Sequence, residues 1–182
     1  LGVIGLTFSI IFEGQSALIS LPQTIFSSNN SFLLTAIPMF ILMSEILRKA
    51  NVTEVLFDAV TKFIGHLPGG LAVSTVITCA IGASITGSSV ANAASMSIVA
   101  APSMIKRGYD RKFTYGLIAA SGTLGILIPP SIPMLLYASI TEVSIGKLFI
   151  SGIVPGLVLV ILLCLYVILK EKFFDNSDRK IE

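Results

Sequence analysis

With 182 residues, 54% hydrophobic and only 12% charged, and a mean hydropathy of +0.92, the chain is far more apolar than a soluble domain, in which about a quarter of residues carry charge. Bilayer is the expected solvent. A net charge of +2, without a basic patch interleaved with aromatics, excludes nucleic acid as a partner.

Residues 1–12 are too short to span and have no basic region before them, so they read as the tail of a truncated helix of a longer protein and not as a signal peptide. Beyond them, charges divide the sequence into apolar blocks: none occurs between Glu13 and Glu45, Lys62 and Lys106, Lys112 and Glu142, or Lys147 and Lys170. Residues 31–47 (SFLLTAIPMFILMSEIL) are long enough to cross at about 1.5 Å per residue, with Pro38 a tolerated kink. Glu45 precedes Arg48 and Lys49 by three and four residues, which places it on their face of the helix as an interfacial salt-bridge partner. Over residues 52–64, Val52, Val55, Leu56, Ala59, Val60, Phe63 and Ile64 recur with helical period against Thr53, Glu54, Asp58, Thr61 and Lys62, which predicts an amphipathic helix lying along the interface.

Residues 69–104 follow without a charge, too long for one ordinary span and interrupted by GASITGSSVANAAS at 82–95. The block at 113–141 is broken in turn by GTLGILIPPSIP at 122–133, where tandem prolines lack backbone donors and exclude regular helix just before them. Residues 148–169 are the plainest transmembrane helix and end in Lys170, Glu171 and Lys172.

Charge placement tests the parity of the first interrupted block. If it enters and leaves on one side, Arg48, Lys49, Lys62, Lys106, Arg107, Arg111, Lys112, Lys170, Lys172, Arg179 and Lys180 share a face, eleven of the twelve Lys and Arg, and only Lys147 lies opposite. The positive-inside rule makes that face cytoplasmic. A single crossing would erase the bias. Even parity fits two full spans or a re-entrant hairpin; arms of about 18 residues with hydroxyls at the turn favour a hairpin that stops near mid-membrane.

At the turn, Ser84, Thr86, Ser88, Ser89, Asn92 and Ser95 gather oxygen ligands beside Gly82 and Gly87. Hard oxygens without carboxylates suit a monovalent cation or a neutral polar group. In the second break, Gly122, Thr123 and Gly125 precede Ile128, Pro129, Pro130 and Ser131, which frees carbonyls at membrane depth. Half-helices meeting there offer a positive end to an anion and a negative end to sodium. The competing explanation is close helix packing by small residues, which is how Gly152xxxGly156 reads.

Enzymatic chemistry is excluded on several counts. Gly82 and Gly87 have phosphate-loop spacing, but Ser88 stands where that loop requires lysine. Ser88 or Ser89 as a nucleophile would need a base, and the one histidine, His66, lies after the amphipathic helix, where it reads as solvated or capping. Cys79 and Cys164 sit in apolar runs as packing groups, so no metal first shell assembles.

The stretches ITGSSVANAAS (85–95) and TLGILIPPSIPMLLYA (123–138) resemble the two hallmark stretches of the large membrane subunit of TRAP (tripartite ATP-independent periplasmic) transporters, in its N-terminal half. AIPMFILMSEIL (36–47), GHLPGGLA (65–72) and VSIGKLFISGIVPG (143–156) fit as well. The resemblance implies an all-α integral membrane fold with transmembrane helices, a re-entrant hairpin and a broken transmembrane helix, one half of an inverted-repeat elevator-type transporter. It implies sodium-coupled import of a small organic anion, such as a dicarboxylate or sugar acid, across the bacterial inner membrane by a multi-pass subunit. A periplasmic substrate-binding protein would deliver the substrate; a small membrane subunit and the second half of the large subunit would complete the complex, with Na+ as coupling ion and no other cofactor. The implied sodium ligands are Thr86, Gly87, Ser88, Gly122, Thr123, Gly125 and Pro129, and the implied substrate wall is Ser88, Ser89, Asn92, Pro130 and Ser131. Three units follow: 1–67, scaffold and interfacial helices; 68–141, the transport unit with hairpin 69–104 and broken helix 113–140; 142–182, the terminal helix and cytoplasmic tail. Neither hallmark repeats within the chain, so alone it is not expected to transport. Two rivals stand beside this reading: a non-transporting scaffold or channel-like subunit, and a proton-driven carrier, which would need an intramembrane Asp, Glu or His relay that neither break contains.

Overall fold

Apolar blocks punctuated by glycine, proline and charge become helices. The computed structural model describes residues 2–14, 22–23, 26, 32–67 and 69–174. Its elements are α1 (Gly2–Glu13), α2 (Phe32–Lys49), α3 (Val52–Ile64), α4 (Gly70–Thr86), α5 (Ser89–Lys106), α6 (Arg111–Gly122), α7 (Leu124–Leu127), α8 (Ile132–Thr141) and α9 (Ile145–Phe174). Among the described residues there is no strand.

The α2–α3 corner turns at Asn51, whose φ of 54° is left-handed, a region asparagine tolerates. Just before it, Arg48 reaches Glu45 at 2.7 Å, the pair expected from their spacing. On α3, Phe57 is buried against α4 and α5, whereas Val55 and Phe63 face outward.

The α4–α5 hairpin is more helical than its composition suggests. The sequence breaker spans 82–95, yet only Gly87 and Ser88 leave the helix. The hydroxyls bond backward instead of unwinding the chain: Thr86 Oγ1 donates to the Gly82 carbonyl at 2.9 Å, Ser84 Oγ to Ile81 at 2.7 Å and Ser97 Oγ to Ala93 at 2.8 Å. Similarly, the second break narrows from 122–133 to residues 128–131, with Thr123 a helical hinge between α6 and α7 and a cis peptide joining Pro129 to Pro130.

Helix α9 runs 30 residues, past the 22 of its uncharged block, because Lys147, Lys170 and Lys172 continue the helix, their long aliphatic stems letting a charged residue sit at the edge of an apolar stretch. Its C-terminal end lies beside the start of α4, where the Cβ that Gly69 lacks would stand 2.8 Å from Glu171 Cγ. Nearby, Phe113 at the start of α6 has the Lys170 ammonium 3.5 Å from its ring centroid. At the open end of the hairpin, Thr75 Oγ1 contacts Met104 Sδ at 3.4 Å. The starts of α4 and α6 and the ends of α5 and α9 therefore converge on one end of the molecule, the basic one. Between them lies a core of Phe57, Val76, Cys79, Met96, Met104, Leu117, Ile118 and Val167.

Candidate functional site

The hairpin tip is built by capping. Gly87 closes α4 with φ of 58°, a left-handed cap that favours glycine, and its N–H donates to the Ala83 carbonyl at 2.9 Å. Ser88 opens α5 as N-cap, its Oγ accepting from Ala91 N–H at 3.4 Å. Thr86 Oγ1 also donates to the Ser88 carbonyl at 3.3 Å, tying the two arms across the turn.

This tip rests on the broken helix. A Cβ on Gly125 would stand 2.8 Å from Ser88 C and Ser89 N; one on Gly87 would meet the Pro130 carbonyl at 2.8 Å; one on Gly122 would meet Ala93 Cβ at 2.6 Å. Where the side chains vanish, one backbone hydrogen bond crosses the junction, from Ile132 N–H to the Gly87 carbonyl at 3.1 Å. Helix α9 supports the break from behind: Gly152 lies under the Leu127 carbonyl and Met134, and Gly156 under Ile128. The spacing Gly152xxxGly156 thus serves packing, as read from the sequence.

The predicted site residues divide accordingly. Thr86, Gly87, Pro130 and Ser131 line one cleft with Ile85, Ile132, Leu135 and Phe40 of α2, and Ser88, Ser89 and Gly125 meet directly behind it. Ser131 Oγ is buried without a hydrogen-bond partner, an oxygen at the junction that a ligand could satisfy. Thr123 is exposed and its hydroxyl turns back to the Ala120 carbonyl at 2.6 Å. Asn92 is buried at 1% exposure inside the hairpin, its Nδ2 donating to the Cys79 carbonyl at 2.8 Å and its Oδ1 filling the space above Gly82. Sequence reasoning passed over Phe40 and the buried, unpartnered hydroxyls of Thr78 and Ser121. Nothing in a local pattern separates those hydroxyls from the many that bond back to their own helix.

The distribution of polarity is that of a membrane protein. Ser74, Thr75, Thr78, Thr114 and Ser121 are buried, while Ile126, Leu136, Ile150, Val154, Leu157, Ile161 and Leu165 face outward. Two stretches, Arg111–Thr141 and Ile145–Phe173, are long and apolar enough to cross a bilayer. Together these features define an all-helical membrane protein in which a helical hairpin abuts a broken helix.

Residues 1–181 match the family described as "Tripartite ATP-independent periplasmic transporter, DctM component", and the chain belongs to that family. A relative in Pseudomonas aeruginosa, named C4-dicarboxylate TRAP transporter large permease protein DctM, is 38% identical over 181 residues, 98% of this chain and 42% of the relative. The Halomonas elongata protein named ectoine TRAP transporter large permease protein TeaC is 37% identical over 162 residues, 89% of this chain and 38% of the relative. In Escherichia coli, the protein named 2,3-diketo-L-gulonate TRAP transporter large permease protein YiaN is 38% identical over 137 residues, covering 75% and 32%. The chain therefore spans about two fifths or less of the length of these curated relatives. These relatives are named as transporter permease proteins and not as enzymes.

Proposed function

We propose that the chain serves, with a second half, as the large membrane subunit of a sodium-coupled importer of a small organic anion in the bacterial inner membrane. A periplasmic binding protein delivers the substrate and a small membrane subunit completes the complex. The observation that carries this reading is the glycine-lined junction, in which Gly87, Gly122 and Gly125 let the hairpin tip and the proline break approach backbone to backbone. The buried Ser131 hydroxyl stands there without a hydrogen-bond partner and with no carboxylate in the lining, which suits Na+ better than a divalent ion. Thr86, Gly87, Ser88, Gly122, Thr123, Gly125 and Pro129 are the proposed sodium ligands, and Ser88, Ser89, Asn92, Pro130 and Ser131 the proposed substrate wall; of these, the inward-facing amide of Asn92 supports a positioning role more than contact with substrate.

Helix lengths support a re-entrant hairpin. Arms of 17 and 18 residues measure about 26 Å, against about 45 Å for the 30 residues of α9. Beyond the break, α8 continues for 10 residues, about 15 Å, past the level of the tip. In this reading a transport unit (68–141) moves against scaffold (1–67) and terminal (142–182) parts, as in an elevator. Relatives named for C4-dicarboxylate and 2,3-diketo-L-gulonate support an organic anion as cargo.

The test is uptake of labelled C4-dicarboxylate into proteoliposomes carrying the full-length subunit, its small partner and the binding protein. Uptake should require an inward sodium gradient and collapse in the Ser88→Ala/Ser89→Ala double variant. Transport indifferent to sodium would overturn the coupling; full uptake by the double variant would reduce both serines to packing.

A further inference from the structure

At the basic end of the molecule, Tyr166, Leu169, Lys170 and Phe173 line an open groove of about 480 Å³. Their spacing of three and four residues makes them one face of α9. The face is apolar apart from Lys170 and the Tyr166 hydroxyl, and Phe173 is 72% exposed. Upward, the apolar surface continues without interruption through Leu165 and Leu162, which also face outward. Beside the groove, three aromatic rings form a wall, with Phe113 6.1 Å from Tyr109 and 6.5 Å from Tyr166. The Lys170 ammonium is held over the Phe113 ring at 3.5 Å, a contact that fixes its position without engaging a carboxylate.

The surrounding charge is one-sided. Residues 106–112 and 170–172 carry Lys106, Arg107, Arg111, Lys112, Lys170 and Lys172 against Asp110 and Glu171, six basic to two acidic. Asp110 is committed to capping α6, accepting from Phe113 N–H at 3.0 Å. An apolar groove ending at a fixed ammonium, with Arg111 and Lys112 next in sequence to the Phe113 that holds it, is complementary to one membrane component in particular.

We propose that this groove binds an anionic phospholipid of the leaflet on the basic side. The acyl chain lies along Leu165, Leu169 and Tyr166, and the phosphate sits at Lys170 with Arg111 and Lys112 alongside. The aromatic wall sets the depth of the headgroup, and Lys170, on the helix whose Gly152 and Gly156 back the proline break, places the lipid on the element that supports the junction. The site stands on membrane residence alone and is independent of sodium coupling.

Native mass spectrometry of the delipidated full-length permease, titrated with phosphatidylglycerol or phosphatidylcholine, tests it. Phosphatidylglycerol should be retained preferentially. Lys170→Gln should weaken that retention roughly fivefold, the factor given by about 1 kcal/mol for a basic side chain near an anionic headgroup, and leave phosphatidylcholine unchanged. Lys170→Arg should restore it, and Lys147→Gln at the opposite end should leave it unaltered. Equal retention of the two lipids, or equal losses in the Lys170 and Lys147 variants, would overturn the proposal. So would a Phe173→Cys thiol shielded from reagent by another polypeptide segment whatever the lipid.

Discussion

One methyl group at Gly125 would place a carbon 2.8 Å from the Ser88–Ser89 peptide, closer than van der Waals contact allows, so the hairpin tip would have to withdraw. Gly125→Ala should therefore abolish substrate uptake by the full-length transporter. Gly116→Ala, on the same broken segment with open space around it, should leave uptake intact. The contrast isolates the junction from any general effect of glycine replacement. Asn92 acts on the interior of the hairpin, where its amide cross-links the arms through the Cys79 carbonyl. Asn92→Ala should destabilise the purified protein by about 1–3 kcal/mol, seen as a lowered thermal unfolding midpoint in detergent, since a buried hydrogen bond and its packing are both lost. Composition announced that Asn92 matters; it could not say which way the side chain points. An amide near a turn can face a ligand or the opposite arm, and only the register of α4 against α5 decides.

At the level of elements, charge and period located most helices, and α3 spans 52–64 as the amphipathic pattern required. The ends of α9 were missed because long lysines extend a helix beyond its uncharged stretch. Both breaks were found but drawn too wide, since serine and threonine disrupt helices in water yet bond back to their own carbonyls where no water competes. The i, i+3 pair of Glu45 and Arg48 was legible from spacing alone, and the structure forms it at 2.7 Å with both side chains about half exposed. Such a surface pair contributes little. Glu45→Gln should leave the unfolding midpoint unchanged within error, in contrast to the Asn92 variant.

For the whole molecule, the convergence of the α4, α5, α6 and α9 termini on one end makes the charge count a statement about sidedness. Cysteines introduced at Lys112 and Lys147 should react with impermeant thiol reagent from opposite sides of the membrane, Lys112→Cys from the cytoplasm. Labelling of both from one side would refute the topology. The two breaks were expected to meet; what the sequence concealed at this scale is how closely they approach, because backbone-to-backbone contact depends on glycines whose role shows only when their neighbours are in place. The burial pattern also bears on how the chain can vary. With Ser74, Thr75, Thr78 and Ser121 inside and Ile150, Leu157 and Ile161 outside, the large aliphatic positions are the interchangeable ones, since lipid accepts any of them. Divergence among such chains should accumulate on their greasy exterior, and the smallest residues, which look least informative in a single sequence, should be the ones drift cannot touch.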